Sequence, residues 1–231
     1  MKVAPYGILA LVANMVASMG FDMLREIGRF ILSQYLALFL LLVFLYPTLI
    51  RYLGKLNPLR FYRNIAPAML VAASTTSSGA TLPVSMGVAQ ESLGAPEKVW
   101  GFTLPFGATV NMDGMAACIG CIAVFSCNLY HRPITAGLMF QFMFVGLALS
   151  IGTAGIKGGG IVMSTILLQT IGLPTVIIIP ILTSIWPVLD IGNTCCNVTG
   201  DLVGTTIIAS RFGMIDEKTF NNNNAHVRSN Q

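Results

Sequence analysis

Charge is what this chain has least of. Only 10% of its 231 residues are Asp, Glu, Lys or Arg, against 55% that are apolar, and the mean hydropathy is +0.76. Soluble domains carry about 25% charged residues, so a water-solvated surface is excluded and a polytopic membrane protein is predicted. The net charge of +4 does not make a nucleic-acid surface. Most of its cations (Arg25, Arg29, Arg51, Lys55, Arg60, Arg63) lie in short connections, where a bilayer puts them. Cysteine is sparse and odd in number: Cys118, Cys121, Cys127, Cys195 and Cys196 all fall within apolar segments or a polar patch inside one, which argues against a disulfide framework. Cys118 and Cys121 form a CxxC with no second Cys or His pair at zinc spacing, so no transition metal is expected. Residues 1–20 are apolar but contain Pro5 and Gly7 and lack a cleavage-site pattern; they read as a helix rather than a removable leader.

What the chain does have is long apolar segments, several of them interrupted. Residues 3–20 are a short candidate span. Residues 27–50 form a full-length one ending at Arg51. The connection 51–63 holds four cations and no acids, which predicts a cytoplasmic side. From residue 65 the apolar run is cut by Ser74-Thr75-Thr76-Ser77-Ser78-Gly79-Ala80-Thr81-Leu82-Pro83, and neither half is long enough to cross alone. Residues 58–93 therefore read as a re-entrant helical hairpin, since non-helical backbone at membrane depth needs protein or a water-filled cavity beside it. Residues 97–129 read as a helix broken at Asn111-Met112-Asp113-Gly114, where freed carbonyls and a carboxylate suit a hard cation. The order then repeats. Residues 133–171 form a second hairpin, interrupted at 152–160 by a glycine-rich tip that lacks the ending of a nucleotide-binding loop.

Residues 173–211 complete the series with a second broken helix. Its 38-residue apolar core, 173–210, would be roughly 57 Å long as one helix, so a bend or break near Pro180, Pro187 or Gly192 is expected. Two hairpins and two broken helices suggest structural repeats meeting at a ligand. The polar tail, 213–231, has Asn221 to Asn224 in a row and reads as disordered.

Three of the nine acids, Asp113, Asp190 and Asp201, lie in apolar sequence with no Lys or Arg at helical spacing. Unpaired buried carboxylates are costly, so cations from solution are expected to neutralise them. At about 100° per residue, Asp190, Asn193, Thr194, Asn197 and Asp201 share one helical stripe. Such a face points to a bundle interior, a cavity or a bound ion, and predicts a small-molecule and cation site in a transporter.

Four stretches carry a resemblance, in the same order as in the family concerned: 77–83 (Ser-Ser-Gly-Ala-Thr-Leu-Pro), 101–114 (Gly-Phe-Thr-Leu-Pro-Phe-Gly-Ala-Thr-Val-Asn-Met-Asp-Gly), 150–155 (Ser-Ile-Gly-Thr-Ala-Gly) and 197–201 (Asn-Val-Thr-Gly-Asp). Through them the chain, over residues 4–212, resembles the C-terminal half of the glutamate transporter family, the dicarboxylate/amino acid:cation symporters. The resemblance implies an all-α membrane protein with two re-entrant hairpins and two broken helices in an inverted repeat. It places a partial scaffold helix at 1–24 and a transport domain at 25–212, which slides as an elevator against a trimeric scaffold in the plasma membrane. It also implies roles for residues. Asp190 would hold the substrate amine and Thr194 and Asn197 the α-carboxylate, with Ser77, Ser78, Met115, Asn193 and Gly155 completing the substrate site. Sodium or protons would be bound at Gly107, Thr109, Asn111, Met112, Asp113, Ser150, Thr153, Asn197 and Asp201, partly through backbone oxygens. No other cofactor is implied.

The departures narrow the expectation. Asn193 stands where family members for acidic substrates carry an arginine, and neither Thr76 nor Ile191 supplies one. Met115 replaces a threonine common after Asn-Met-Asp-Gly. A neutral amide does not balance a second carboxylate, so a neutral amino acid is expected. Lys157, in the second tip, either faces water or brings an ammonium to the vacant place; in the second case a C4-dicarboxylate or acidic amino acid becomes the substrate. The family's first helices are missing, which leaves open a fragment or a non-transporting truncated subunit. An intramembrane aspartyl protease is disfavoured, because its Gly-x-Gly-Asp motif would need glycine at Val198.

Overall fold

The computed structural model describes residues 20–153 and 158–222, with isolated positions before residue 20; the elements among these are helices, with no strand. Met23–Tyr52, Glu97–Leu129 and Ile178–Arg211 are long and apolar enough to cross a bilayer, and Ala136–Gly152 and Gly159–Thr170 are shorter apolar helices. The architecture is that of an α-helical membrane protein. The segment expected as a scaffold helix, 1–24, is described only at isolated positions before residue 20.

The first long helix runs through α1 (Phe21–Leu40), one π-helical turn (Leu41–Leu45) and α2 (Tyr46–Tyr52) without a break. Pro47 accounts for the widened turn. Lacking an N–H and crowding the carbonyl four residues earlier, it favours a turn in which the Tyr46 N–H reaches back five residues to the Leu41 carbonyl. The Leu42 carbonyl instead accepts from the Tyr62 hydroxyl of the next helix.

That helix, α3 (Pro58–Thr75), starts where the Asn57 side chain accepts from the Leu59 and Arg60 N–H groups and stops at Thr76, which is left-handed at φ 52°. Ser77 then caps α4 (Ser78–Glu91) by accepting from the Ala80 N–H. The Ser/Thr interruption is thus only two residues wide, narrower than the sequence suggests, because Ser77 restarts the helix at once. α5 (Glu97–Val110) and α6 (Asp113–Leu129) are separated by Asn111 and Met112, the break expected. α7 (Ala136–Gly152) and α8 (Gly159–Thr170) flank the second interruption, whose residues 154–157, including Gly155 and Lys157, lie outside the described residues.

The expected second broken helix is not broken. α9 spans Ile178–Arg211 continuously through Pro180, Pro187 and Gly192. Pro180 falls in its first turn, where an N–H has no helical partner to lose. Gly192 serves close packing: a Cβ there would stand 2.7 Å from Leu38 Cδ1 and 3.1 Å from Tyr35 Cε1. Nearby, the Tyr35 hydroxyl donates to the Val188 carbonyl at 2.6 Å.

α9 is the common axis. Its first half packs with α1, α6, α7 and α8 in one apolar cluster, and its second half with α2, α3, α4 and α5 in another. The tail is ordered further than its composition suggests, through α10 (Glu217–Asn221); residues 223–231 lie outside the described residues. Asn64 in α3 donates to the Ser92 and Phe220 carbonyls, and the Asp216 N–H donates to the Gly94 carbonyl at 3.0 Å. Gly94 has φ +67°, and a Cβ there would lie 2.6 Å from the Asp216 carbonyl oxygen. Gly94→Ala should therefore cost more than the roughly 1–2 kcal/mol of a left-handed L-residue. Thermal unfolding in detergent should move down by about 4 °C or more.

Candidate functional site

Midway along α9 the interior turns polar. Asn193, Thr194, Asn197 and Asp201 are 1%, 4%, 5% and 7% exposed, at the level where the two apolar clusters meet. Asp190, Asn193, Thr194 and Asn197 line one cavity, together with Thr76, Ser77 and Ser78 from the α3–α4 turn. Its remaining walls are Met112 and Met115 at the start of α6, Thr153 beyond α7 and Gly160 on α8. The volume is about 20 Å³, enough for one water molecule.

Each wall has a local cause. The left-handed Thr76 turns the chain so that the Ser77 cap and Ser78 head α4. Gly160 lets α8 begin against α9, since a Cβ there would overlap Trp186 Cζ2 at 2.2 Å and Met115 Cε at 2.7 Å. Gly114 brings α6 onto the α9 backbone, 2.5 Å from its would-be Cβ to the Asn193 carbonyl oxygen. The Gly114 N–H, one of the unpaired donors at the start of α6, donates to Asn197 Oδ1 at 2.8 Å, and Asn197 Nδ2 reaches Met112 Sδ at 3.2 Å.

Beside this cavity lies a second cluster, organised around two carboxylates. Asn111 Nδ2 donates to Asp201 Oδ1 at 3.0 Å, and the Tyr46 hydroxyl donates to Asp113 Oδ2 at 2.7 Å. Glycines admit both acids. A Cβ at Gly107 would stand 2.5 Å from Asp201 Oδ1, and one at Gly200 would stand 2.5 Å from Asp113 Oδ2 and 2.8 Å from Asn111 Nδ2. Both acids are met by neutral donors, leaving their charge to be balanced from outside. Two carboxylates with an amide oxygen and helix-end carbonyls are hard donors suited to an alkali or alkaline-earth ion. Asp113 also begins α6, where a helix N-terminus favours negative charge.

The helical stripe read from the sequence is thus divided: four of its residues line the cavity, while Asp201 stands beside Asn111. Among the other expected ion-site residues, Gly107, Asn111 and Asp113 join this cluster, and Met112, Thr153 and Asn197 border the cavity. The Thr109 and Ser150 hydroxyls bond to the Phe106 and Leu147 carbonyls of their own helices. Two residues were missed. Tyr46, 2% exposed, reads in sequence as an apolar aromatic. Gln34, fully buried, donates from Nε2 to Asn193 Oδ1 at 2.6 Å; the available signal was a lone amide in an apolar span. A larger cleft of about 1110 Å³ lies between α1, α6 and α7. Its walls are mainly apolar, and the charged pair at its edge, Arg29 and Glu26, is self-satisfied at 2.5 Å.

Comparison with known proteins agrees with this architecture. The model of the sodium:dicarboxylate symporter family matches residues 1–211. The L-cystine uptake protein TcyP of Bacillus cereus is 28% identical over 223 residues, 96% of this chain and 47% of the relative. Neutral amino acid transporter A of Bos taurus is 35% identical over 207 residues, 88% of this chain and 39% of the relative. Excitatory amino acid transporter 4 of Rattus norvegicus is 35% identical over 208 residues, 89% and 37% of the two chains. The chain spans about half the length of these curated relatives, or less.

Proposed function

The chain belongs to the sodium:dicarboxylate symporter family, and from that premise we propose that it is the substrate- and ion-binding part of a cation-coupled symporter for a neutral amino acid. The named relatives are transporters, not enzymes. One observation carries the reading: a small polar cavity on α9 adjoins a pair of carboxylates that, among the described residues, accept from neutral donors. In this reading Asp190 takes the substrate ammonium, and Thr194, Asn197, Ser77 and Ser78 surround its carboxylate. Sodium sits among Asn111, Asp113 and Asp201. Asn193, a neutral amide, faces the substrate side chain.

A cavity of about 20 Å³ does not hold an amino acid, so binding requires a wall to move. The α3–α4 and α7–α8 pairs, as re-entrant hairpins in an inverted repeat, are the walls best placed to do so. The transport domain, residues 25–212, then moves as an elevator in the plasma membrane against a scaffold that is trimeric in the whole protein. Coupling follows from electrostatics: a sodium ion offsets part of the negative charge of Asp113 and Asp201 next to the cavity, and the order around that ion prepares the cavity for the amino acid.

The test is thermal stability of the purified chain in detergent, with sodium or choline chloride, against alanine, serine, aspartate and succinate. A ligand at about 100 times its Kd adds about 2.7 kcal/mol, a rise of roughly 5–10 °C for a chain of this size. Sodium-dependent stabilisation by serine or alanine is expected. A response to aspartate or succinate instead would overturn the neutral-substrate assignment in favour of Lys157. Silence towards every ligand would overturn the site as part of this chain alone.

A further inference from the structure

Resting on the symporter reading, we infer that Tyr46 is a positioning residue that holds one oxygen of Asp113 away from the ion, and so makes the two-carboxylate cluster a site for a monovalent rather than a divalent cation. Charge alone argues the other way. Asp113 and Asp201 stand with Asn111 around the break between α5 and α6, and two anions attract a calcium ion about twice as strongly as a sodium ion at the same distance. Selection of the lower charge needs a feature that weakens this attraction.

The Tyr46 hydroxyl is that feature. Three atoms lie in its reach: Asp113 Oδ2 at 2.7 Å, and the carbonyl oxygen and Sγ of Cys196, each at 3.4 Å. Only the first is at the separation of an O–H···O bond, about 2.5–3.0 Å, so the single phenol proton belongs to Asp113. The ring is not free to withdraw it. Tyr46 is 2% exposed, and a Cβ at Gly200 would stand 2.9 Å from its oxygen and 2.5 Å from Asp113 Oδ2, so both atoms are seated against the same glycine of α9. Tyr46 also follows directly on the π-helical turn Leu41–Leu45, a feature frequent at functional sites. Asp201 is held in the same way, its Oδ1 accepting from Asn111 Nδ2 at 3.0 Å. Each carboxylate thus commits one oxygen to a neutral donor and leaves the other for an ion.

The consequence follows from how the energies scale. Dehydrating an ion costs in proportion to the square of its charge, whereas its attraction to the carboxylates grows only in direct proportion. Engaging one oxygen of each acid lowers the attraction and leaves the dehydration cost as it was, so the ion of higher charge loses more. Calcium also takes about six to eight oxygens, with carboxylates in bidentate as well as monodentate contact. The Tyr46 hydroxyl withholds the bidentate mode from Asp113.

The experiment titrates thermal stability with sodium chloride and calcium chloride, each against choline chloride at matched ionic strength, in the wild type, Tyr46→Phe and Cys196→Ala. In the wild type calcium should bind about tenfold or more weakly than sodium. Tyr46→Phe keeps the ring and removes the proton on Asp113 Oδ2. Its unfolding temperature in choline chloride should fall by a few degrees, and the preference between the ions should move towards calcium by about tenfold or more, the worth of one hydrogen bond to a charged group. Cys196→Ala removes the sulfur beside the hydroxyl but not the proton, and should leave the preference unchanged. Both variants are also made on Gly204→Ala, where nothing lies within 4 Å of the added Cβ and the gain in helix propensity offsets lost stability. A Tyr46→Phe chain that is less stable by the same amount in all three salts, with its preference unmoved, overturns the inference. So does a wild type that calcium stabilises as well as sodium. In either case an amino acid response that still depends on sodium keeps the symporter reading intact. Silence of the wild type towards both ions and every amino acid overturns both.

Discussion

Asp201→Asn should abolish the response to sodium while leaving the protein folded, and should raise its stability in sodium-free buffer. The two halves of this result have one cause. Asp201 is 7% exposed, its Oδ1 accepts from Asn111, and Gly107 leaves room for that oxygen at a separation no Cβ would allow. Without a cation the carboxylate has a neutral amide as its partner, and an uncompensated buried charge costs several kcal/mol. Asparagine has the same shape and no charge, so this cost disappears. With sodium present the balance reverses: a hard cation loses a formal negative charge from its ligand set, and breaking a buried ion pair from one side costs about 3–5 kcal/mol, about 100-fold or more in affinity. Titration of thermal stability with sodium chloride against choline chloride measures both effects. If Asp201→Asn keeps its sodium response, the ion lies elsewhere.

Much of this site was legible in sequence, and the reasons are specific. The break at Asn111 and Met112 could be read because polar residues with a following Gly stand alone in an apolar run, where an unbroken helix gains nothing from them. The interruption within residues 74–83 followed from the same logic, though its two-residue width and the Ser77 cap that restarts the helix did not, since composition marks a region and only the cap geometry marks its ends. α9 misled because proline and glycine indicate what backbone is permitted, not what it does. Gly192 is needed for contact with Leu38 and Tyr35, and Pro187 is carried inside a helix that packing holds on both sides. Helical periodicity placed Asp190 and Asp201 on one face correctly but carries no information along the axis. Eleven residues apart, they are separated by roughly 16 Å of helix, enough for one to line the cavity and the other to meet Asn111. The partners of Tyr46 and Gln34 were illegible for a different reason. Their significance lies in contacts with Asp113 and Asn193, 67 and 159 residues away, and no local pattern contains those partners.

Gly200→Ala carries the second large effect, and it runs against helix propensity. Both Gly200 and Gly204 lie inside α9, where alanine is favoured over glycine by about 1 kcal/mol. Propensity alone predicts that either substitution stabilises. At Gly204 nothing lies within 4 Å of the added Cβ, and Gly204→Ala should raise the unfolding temperature by a few degrees. At Gly200 the added methyl would stand 2.5 Å from Asp113 Oδ2, 2.8 Å from Asn111 Nδ2 and 2.9 Å from the Tyr46 hydroxyl oxygen. None of the three yields freely: Asp113 and Asn111 border the break between α5 and α6, and Tyr46 follows the π-helical turn. The methyl should therefore push Asp113 away from Tyr46 and Asn111 away from Asp201, dispersing the donors a cation needs. Errors of 1 Å in a preorganised site cost about 100-fold, so sodium-dependent stabilisation should vanish in Gly200→Ala and the amino acid response should vanish with it. The pair separates fold from function on a single helix, one turn apart. Equal sodium responses in the two variants would show that the close approach of Asp113, Asn111 and Tyr46 to the α9 backbone is packing alone.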